Sequence, residues 1–278
     1  MSMISKFFKK YTGFLRRVRW FYTINNWFHA NQLKSNKPLY EKAGLQKSVF
    51  QSVSSADFPA DNELQAPWLD QGNAKQKMEH HPAWQQFDSS TQALLKQWPA
   101  NGYLILRNFF SQEDINHHNQ EIQQLIQSES VEFEFSNRIK NAFEASEFVN
   151  KQFFKHPELI RILDFLLGVP VLPFQTLHFM EGTQQKAHSD SFHMTTEPKG
   201  YLIAAWIALE DCDQNNGTLF YHPGSHQLDY IMSEDFDHGH SKFLLGKQTY
   251  KNYEAYLEAF IQEKQLPKAT FDAKAGDV

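Results

Sequence analysis

The sequence predicts an α+β fold with a mainly β core: a double-sheet antiparallel roll flanked by helices. Three observations predict it. Helical patterns fill the first part of the body, a run of short strand patterns fills the later part, and turn residues separate those strands. No internal repeat competes with this reading. A chain of 278 residues with 41% hydrophobic residues can bury a sizeable core, and 25 Phe supply much of it. The lone cysteine, Cys212, excludes an internal disulfide and fits a reducing, cytoplasmic setting. No apolar run reaches the roughly eighteen residues that a spanning helix needs.

Charge divides the chain. Residues 1–40 hold Lys6, Lys9, Lys10, Arg16, Arg17, Arg19, Lys34 and Lys37 and no acidic residue. The remainder therefore has 27 − 8 = 19 basic residues against 32 acidic ones, a net of −13. Residues 1–30 read as a basic amphipathic helix, with the pattern clearest over 4–28. Phe7, Phe8, Tyr11, Phe14, Leu15, Val18 and Tyr22 fall on one side, and Lys6, Lys9, Lys10, Arg16 and Arg17 on the other. Such a helix either lies in a membrane interface, a peripheral contact, or docks on its own domain. Nucleic acid is not the predicted partner of these charges. Charges interrupt every candidate apolar core of a signal peptide.

Residues 31–87 are rich in Ser, Gln, Asn and Lys, with Pro38, Pro59, Pro67 and Pro82, and read as an irregular connector wrapped on the body by Phe50, Phe58, Trp68 and Trp84. The body is 88–278. Asp88 or Ser89 caps a short helix reaching Trp98, closed by Pro99. Residues 102–106 read as a strand. Ser111 and Asp114 form a capping box that opens a helix burying Ile115, Ile122, Leu125 and Ile126. Pro157 starts another helix, which Gly168 ends. Strands are then predicted over 171–180, 187–192, 201–209 and 218–222, with the turn Asn215-Asn216-Gly217 before the last. A helix over about 250–263 buries Tyr253, Tyr256, Leu257 and Phe260, and Thr270-Phe271 and Gly276-Asp277 lead into a further strand.

The chemistry centres on His188-Ser189-Asp190. On an extended strand, residues two apart share a face, so an imidazole and a carboxylate would point together. Those are two thirds of the 2-His-1-carboxylate set that holds non-haem Fe(II). Alone the pair is weak, because chance supplies His-x-Asp readily in a chain this rich in both. Its context is Gly102 to Ile115, then Trp206-Ile207-Ala208-Leu209-Glu210-Asp211, Asn216-Gly217 and Pro223-Gly224-Ser225-His226. In order and spacing these resemble the phytanoyl-CoA dioxygenase family of Fe(II)- and 2-oxoglutarate-dependent oxygenases, over about two thirds of the chain.

The resemblance implies a double-stranded β-helix, or jelly-roll, core with His188 and Asp190 as the first two iron ligands. It implies Trp206 lining the 2-oxoglutarate pocket and Gln175 touching the cosubstrate. Plain core packing is the other reading of Trp206. Arg138 or Lys140 is a further candidate for a cosubstrate carboxylate, against a solvated role for each. His193 is a pocket or structural residue, His226 a turn marker, and His222, His238 and His240 surface residues. The family's third ligand, a His, and its 2-oxoglutarate arginine follow the Gly-Asp turn, here Gly276-Asp277. They are therefore expected beyond Val278, which leaves the jelly roll without its closing strands in this chain.

The implied activity is hydroxylation of a small or lipid-like organic substrate with Fe(II) and 2-oxoglutarate, the segment 228–269 acting as a lid. A non-catalytic jelly-roll protein that binds a ligand or partner is the alternative. A zinc hydrolase ranks below both, since no His-x-x-x-His accompanies the pair.

Overall fold

Local rules written in the sequence set the helix ends. Ser111 Oγ accepts the Asp114 N–H at 3.1 Å while Asp114 Oδ2 accepts the Ser111 N–H at 3.2 Å. This reciprocal cap opens helix Gln112–Gln127, which buries Ile115, His118, Ile122 and Leu125. Ile126 packs only in part. Pro157 occupies the first turn of helix Pro157–Leu167, and Gly168 ends it at φ 72°. Only a residue without Cβ suits that end, because a Cβ at Gly168 would collide with the Trp68 indole.

The computed structural model describes residues 17–53, 57, 66–134, 137–182, 185–194, 196, 200–241 and 243–278. The chain forms two compact units, one of residues 1–64, 187–192 and 229–265 and the other of 65–186, 193–228 and 266–278. The N-terminal part of the predicted amphipathic helix, residues 1–16, and Phe58 lie outside the described residues. No helix among the described residues is long and apolar enough to cross a membrane.

In the larger unit the strands are short and antiparallel. β1 (Phe133–Glu134), β2 (Arg138–Lys140) and β3 (Leu177–Phe179) make one sheet in that order. β4 (Leu219–Tyr221) pairs β5 (Ala269–Phe271) with Leu219 opposite Phe271. Several predicted strands are shorter or absent as ladders. Residues 171–176, 187–192, 201–209 and 102–106 carry no strand, although the 171–180 prediction survives as β3. Apolar alternation reports an extended backbone, whereas a ladder needs a partner edge in register. Pro99 also departs from expectation. Instead of closing the helix from Asp88, which ends at Leu95, it sits in the first turn of the next helix, Trp98–Asn101.

The segment read as an irregular connector contributes to the core. Leu69, Ala74, Met78, Trp84 and Phe87 are buried with Leu95, Leu106, Ile162, Phe165 and Leu166. Phe165 is their hub, with ring centres 5.3 Å from Trp68, 6.0 Å from Trp84 and 5.0 Å from Phe87. The Trp68 indole N–H donates to the Phe165 carbonyl at 2.8 Å, so its polar edge is satisfied as its ring is buried. Each such aromatic contributes about 1.5–3 kcal/mol by burial.

The C-terminal residues bind two other segments of this unit together. Leu106 and Val278 exchange both backbone hydrogen bonds, at 2.8 and 3.0 Å. Ala208 donates its N–H to the Asp277 carbonyl and accepts the Gly276 N–H, each at 2.9 Å, so two residues oppose one. That is a β-bulge with Gly276 at φ 93°. Asp277, 1% exposed, accepts from the Asn108 N–H at 2.8 Å, the Lys274 N–H at 2.9 Å and Arg107 Nη1 at 2.6 Å. Burial by itself would raise this carboxyl's pKa, but the Lys274 and Asn108 amides and the Arg107 guanidinium outweigh it and hold the pKa below the usual range.

Two outcomes follow. Gly276→Ala places a Cβ against the Phe110 carbonyl at a positive φ, and should cost about 2–4 kcal/mol in denaturant unfolding. His118 stacks 5.5 Å from His178 and, through burial first and that neighbour second, has its pKa lowered to about 4. The unfolded chain takes up this proton near pH 6.5 while the folded one resists it, so stability falls between about pH 6.5 and 4. In His118→Phe that part of the acid slope should disappear from the midpoint-against-pH curve.

Candidate metal and cosubstrate residues

His188 and Asp190 belong to the smaller unit, where the chain does not run as a strand. Asp190–Phe192 is a 3-10 turn, and His188 precedes it in irregular backbone. The turn achieves what strand alternation was expected to achieve. His188 Nε2 lies 3.4 Å from Asp190 Oδ1, with the imidazole 24% and the carboxylate 51% exposed. Two cis ligands of a first-row metal, with bonds of about 2.1 Å at a right angle, have donor atoms roughly 3 Å apart. One imidazole nitrogen and one carboxylate oxygen, both reached by solvent, suit two cis positions of such a site. Among the described residues, no group of three or more His, Cys, Asp or Glu is gathered that could hold a metal ion.

Tyr253 holds this loop in shape. It is 1% exposed on helix Thr249–Glu263, within the predicted lid segment. The Ser189 N–H donates to its hydroxyl at 3.0 Å, and the Phe192 ring stacks on it at 4.0 Å with the planes 22° apart. Phe236 adds an edge contact at 5.8 Å. Burial raises the phenol pKa, so Tyr253 stays neutral and its oxygen remains an acceptor for the amide between the two candidate ligands. The sequence marked Tyr253 only as one of four buried helix positions, of which Tyr256, Leu257 and Phe260 are half-buried in the structure. Its position on the buried face of an amphipathic helix, with a polar tip that needs a partner, was the available signal.

Gln175 and Trp206 belong to the larger unit. Gln175 is half-buried beside Thr176, whose carbonyl accepts the Asn141 N–H at 2.9 Å, just before β3. Trp206 packs on the cluster of Ala208, Phe271 and Ala273, with its ring 5.8 Å from Phe271. Of the cationic candidates, Arg138 pairs with Glu134 at 3.3 Å, and Lys140 is exposed on β2.

His226 is more than a turn marker. It lies half-buried 3.7 Å from Asp70, and Gly102, at φ 72°, has no Cβ to collide with its ring. His240 is likewise engaged, with Nδ1 3.2 Å from Arg19 Nη2. His193 sits in an exposed turn. Burial, and then the charges of Glu210, Asp211 and Asp213, raise the Cys212 thiol pKa, which argues against nucleophilic thiolate chemistry there.

Comparison with known proteins adds an independent line. The phytanoyl-CoA dioxygenase (PhyH) family model matches residues 98–277. Phytanoyl-CoA dioxygenase domain-containing protein 1 of Mus musculus is 34% identical over 96 residues, 32% of this chain and 32% of that protein. Peroxisomal phytanoyl-CoA dioxygenase of Homo sapiens is 20% identical over 195 residues, 60% of this chain and 57% of that one. The chain thus spans about a third to somewhat over half the length of these curated relatives. Among solved structures, the non-haem alpha-ketoglutarate-dependent epimerase SnoN from nogalamycin biosynthesis is 17% identical. The match covers 68% of this chain and 70% of that one at a TM-score of 0.47.

Tyr253→Phe leaves the ring packing in place and removes only the acceptor for Ser189. It should cost about 1 kcal/mol. Hydrogen exchange at the Ser189 amide should accelerate about fivefold or more, while amides of the 112–127 helix keep their protection.

Proposed function

The chain belongs to the phytanoyl-CoA dioxygenase family, and on that premise we propose that the protein is an Fe(II)- and 2-oxoglutarate-dependent dioxygenase. Its proposed core is the family's jelly roll, and its substrate a small or lipid-like organic molecule that it hydroxylates. The observation that carries the reading is the 3.4 Å convergence of His188 and Asp190 within a motif set that the family model spans. His188 and Asp190 are assigned as two protein ligands of the iron, and Gln175 and Trp206 as residues touching 2-oxoglutarate.

When bound, Fe(II) with 2-oxoglutarate and oxygen supplies the oxidising power, the cosubstrate leaving as succinate and carbon dioxide. The protein's own part is positional. His188 would offer a ring nitrogen and Asp190 a carboxylate oxygen to the cation. Tyr253 and Phe192 fix the loop between them, which would hold the two donors at this spacing. Trp206, braced by Phe271, would present an apolar wall that limits water beside the cosubstrate.

The test uses the protein purified from its source, incubated with 2-oxoglutarate, oxygen and added Fe(II), with succinate as the readout. Succinate should form only with Fe(II), and His188→Ala and Asp190→Ala should each lower it at least about a hundredfold. Folded, source-purified protein that makes no succinate above background under these conditions overturns the reading and leaves a non-catalytic binding protein.

A further inference from the structure

The helix Arg19–Phe28 turns its most apolar side outward. Trp20, Ile24, Trp27 and Phe28 stand at i, i+4, i+7 and i+8, one face of a helix. They are 59%, 43%, 59% and 73% exposed. The opposite side is the docked one. Val18 is 8% exposed, Asn26 is half-buried, and the Asn26 amide donates to the Phe50 carbonyl at 3.4 Å. Four large apolar side chains on one outward face are unusual, because each forgoes about 1.5–3 kcal/mol of burial.

The stripe is held in place. Val18 bridges Leu244 in antiparallel fashion. The Arg19 N–H donates to the Phe243 carbonyl at 3.0 Å, and the Leu245 N–H to the Arg17 carbonyl at 2.6 Å. Phe243, beside the first turn of the helix through that bond, is itself 66% exposed and enlarges the apolar surface.

Charge identifies the occupant. The stripe lies in a stretch of forty residues with eight Lys/Arg and no Asp or Glu, on a chain whose remainder is strongly acidic. Two copies meeting through this face would bring two basic stretches together. An anionic bilayer offers the opposite charge, together with an interfacial layer where Trp and Phe settle. We propose that the outward face of the Arg19–Phe28 helix, with Phe243, docks this protein peripherally on an anionic lipid surface. The inference does not rest on the oxygenase reading.

The experiment is sedimentation of the full chain with phosphatidylcholine vesicles, with and without phosphatidylserine. Expected are partition onto the phosphatidylserine vesicles, little onto phosphatidylcholine alone, and a several-fold loss as salt rises to about 1 M. The triple substitution Trp20→Ser, Trp27→Ser, Phe28→Ser should lower partition at least about tenfold. Circular dichroism checks that this variant is folded, and Lys34→Gln with Lys37→Gln supplies an independent electrostatic test expected to weaken binding several-fold. No binding to phosphatidylserine vesicles overturns the proposal, as does binding undiminished in both variants. A solution dimer that the triple variant dissociates, without vesicle binding, assigns the face to a second copy instead.

Discussion

The larger unit depends on one buried carboxylate. Asp277 is almost fully removed from water, a position that an ionised carboxylate occupies only if its oxygens are answered. Two backbone amides and one guanidinium answer them; the Lys274 amide comes from the same turn, whereas Asn108 and Arg107 belong to a segment the fold must bring close. Arg107 also donates to the Asp272 carbonyl and lies 4.9 Å over the Phe271 ring, so the same cation reaches β5. The neighbouring apolar packing of Phe110, Ile115 and Phe153 then has a fixed backbone to rest on.

A comparable economy governs the His188–Asp190 loop. A short turn presenting two ligands has little apolar area of its own to order it. The order is borrowed from helix Thr249–Glu263, which reaches the loop with one phenol and one ring stack. That helix lies in a long excursion between β4 and β5, two strands that pair directly. The excursion therefore supports the His188–Asp190 loop. Mechanism and fold meet in Tyr253, whose hydroxyl fixes the amide between the two candidate ligands.

The N-terminal helix shows the reverse arrangement. Strand-like pairing at Arg17–Arg19 fixes its start, and its apolar side chains are left in solvent. Folding alone gains nothing from such a face, so its composition points outward from the chain to a surface that supplies the missing burial.

The sequence by itself determined the features governed by nearest neighbours. The Ser111–Asp114 box, the Asp88 cap, Pro157 and Gly168 at the two ends of one helix, and the Tyr250–Glu263 periodicity were legible because capping and amphipathicity involve residues a few positions apart. The His188–Asp190 pairing was legible for the same reason, though the turn that delivers it was not. Strand extents were misjudged at 102–106, 187–192 and 201–209, since pairing is decided by which distant edge arrives in register. Only the tertiary structure revealed that Trp68, Trp84 and Phe87 converge on Phe165, that Tyr253 braces Ser189 and that Gly276-Asp277 clamps Arg107 and Asn108. These contacts join residues from tens to well over a hundred positions apart, and no local periodicity encodes which distant partner will satisfy a buried polar group.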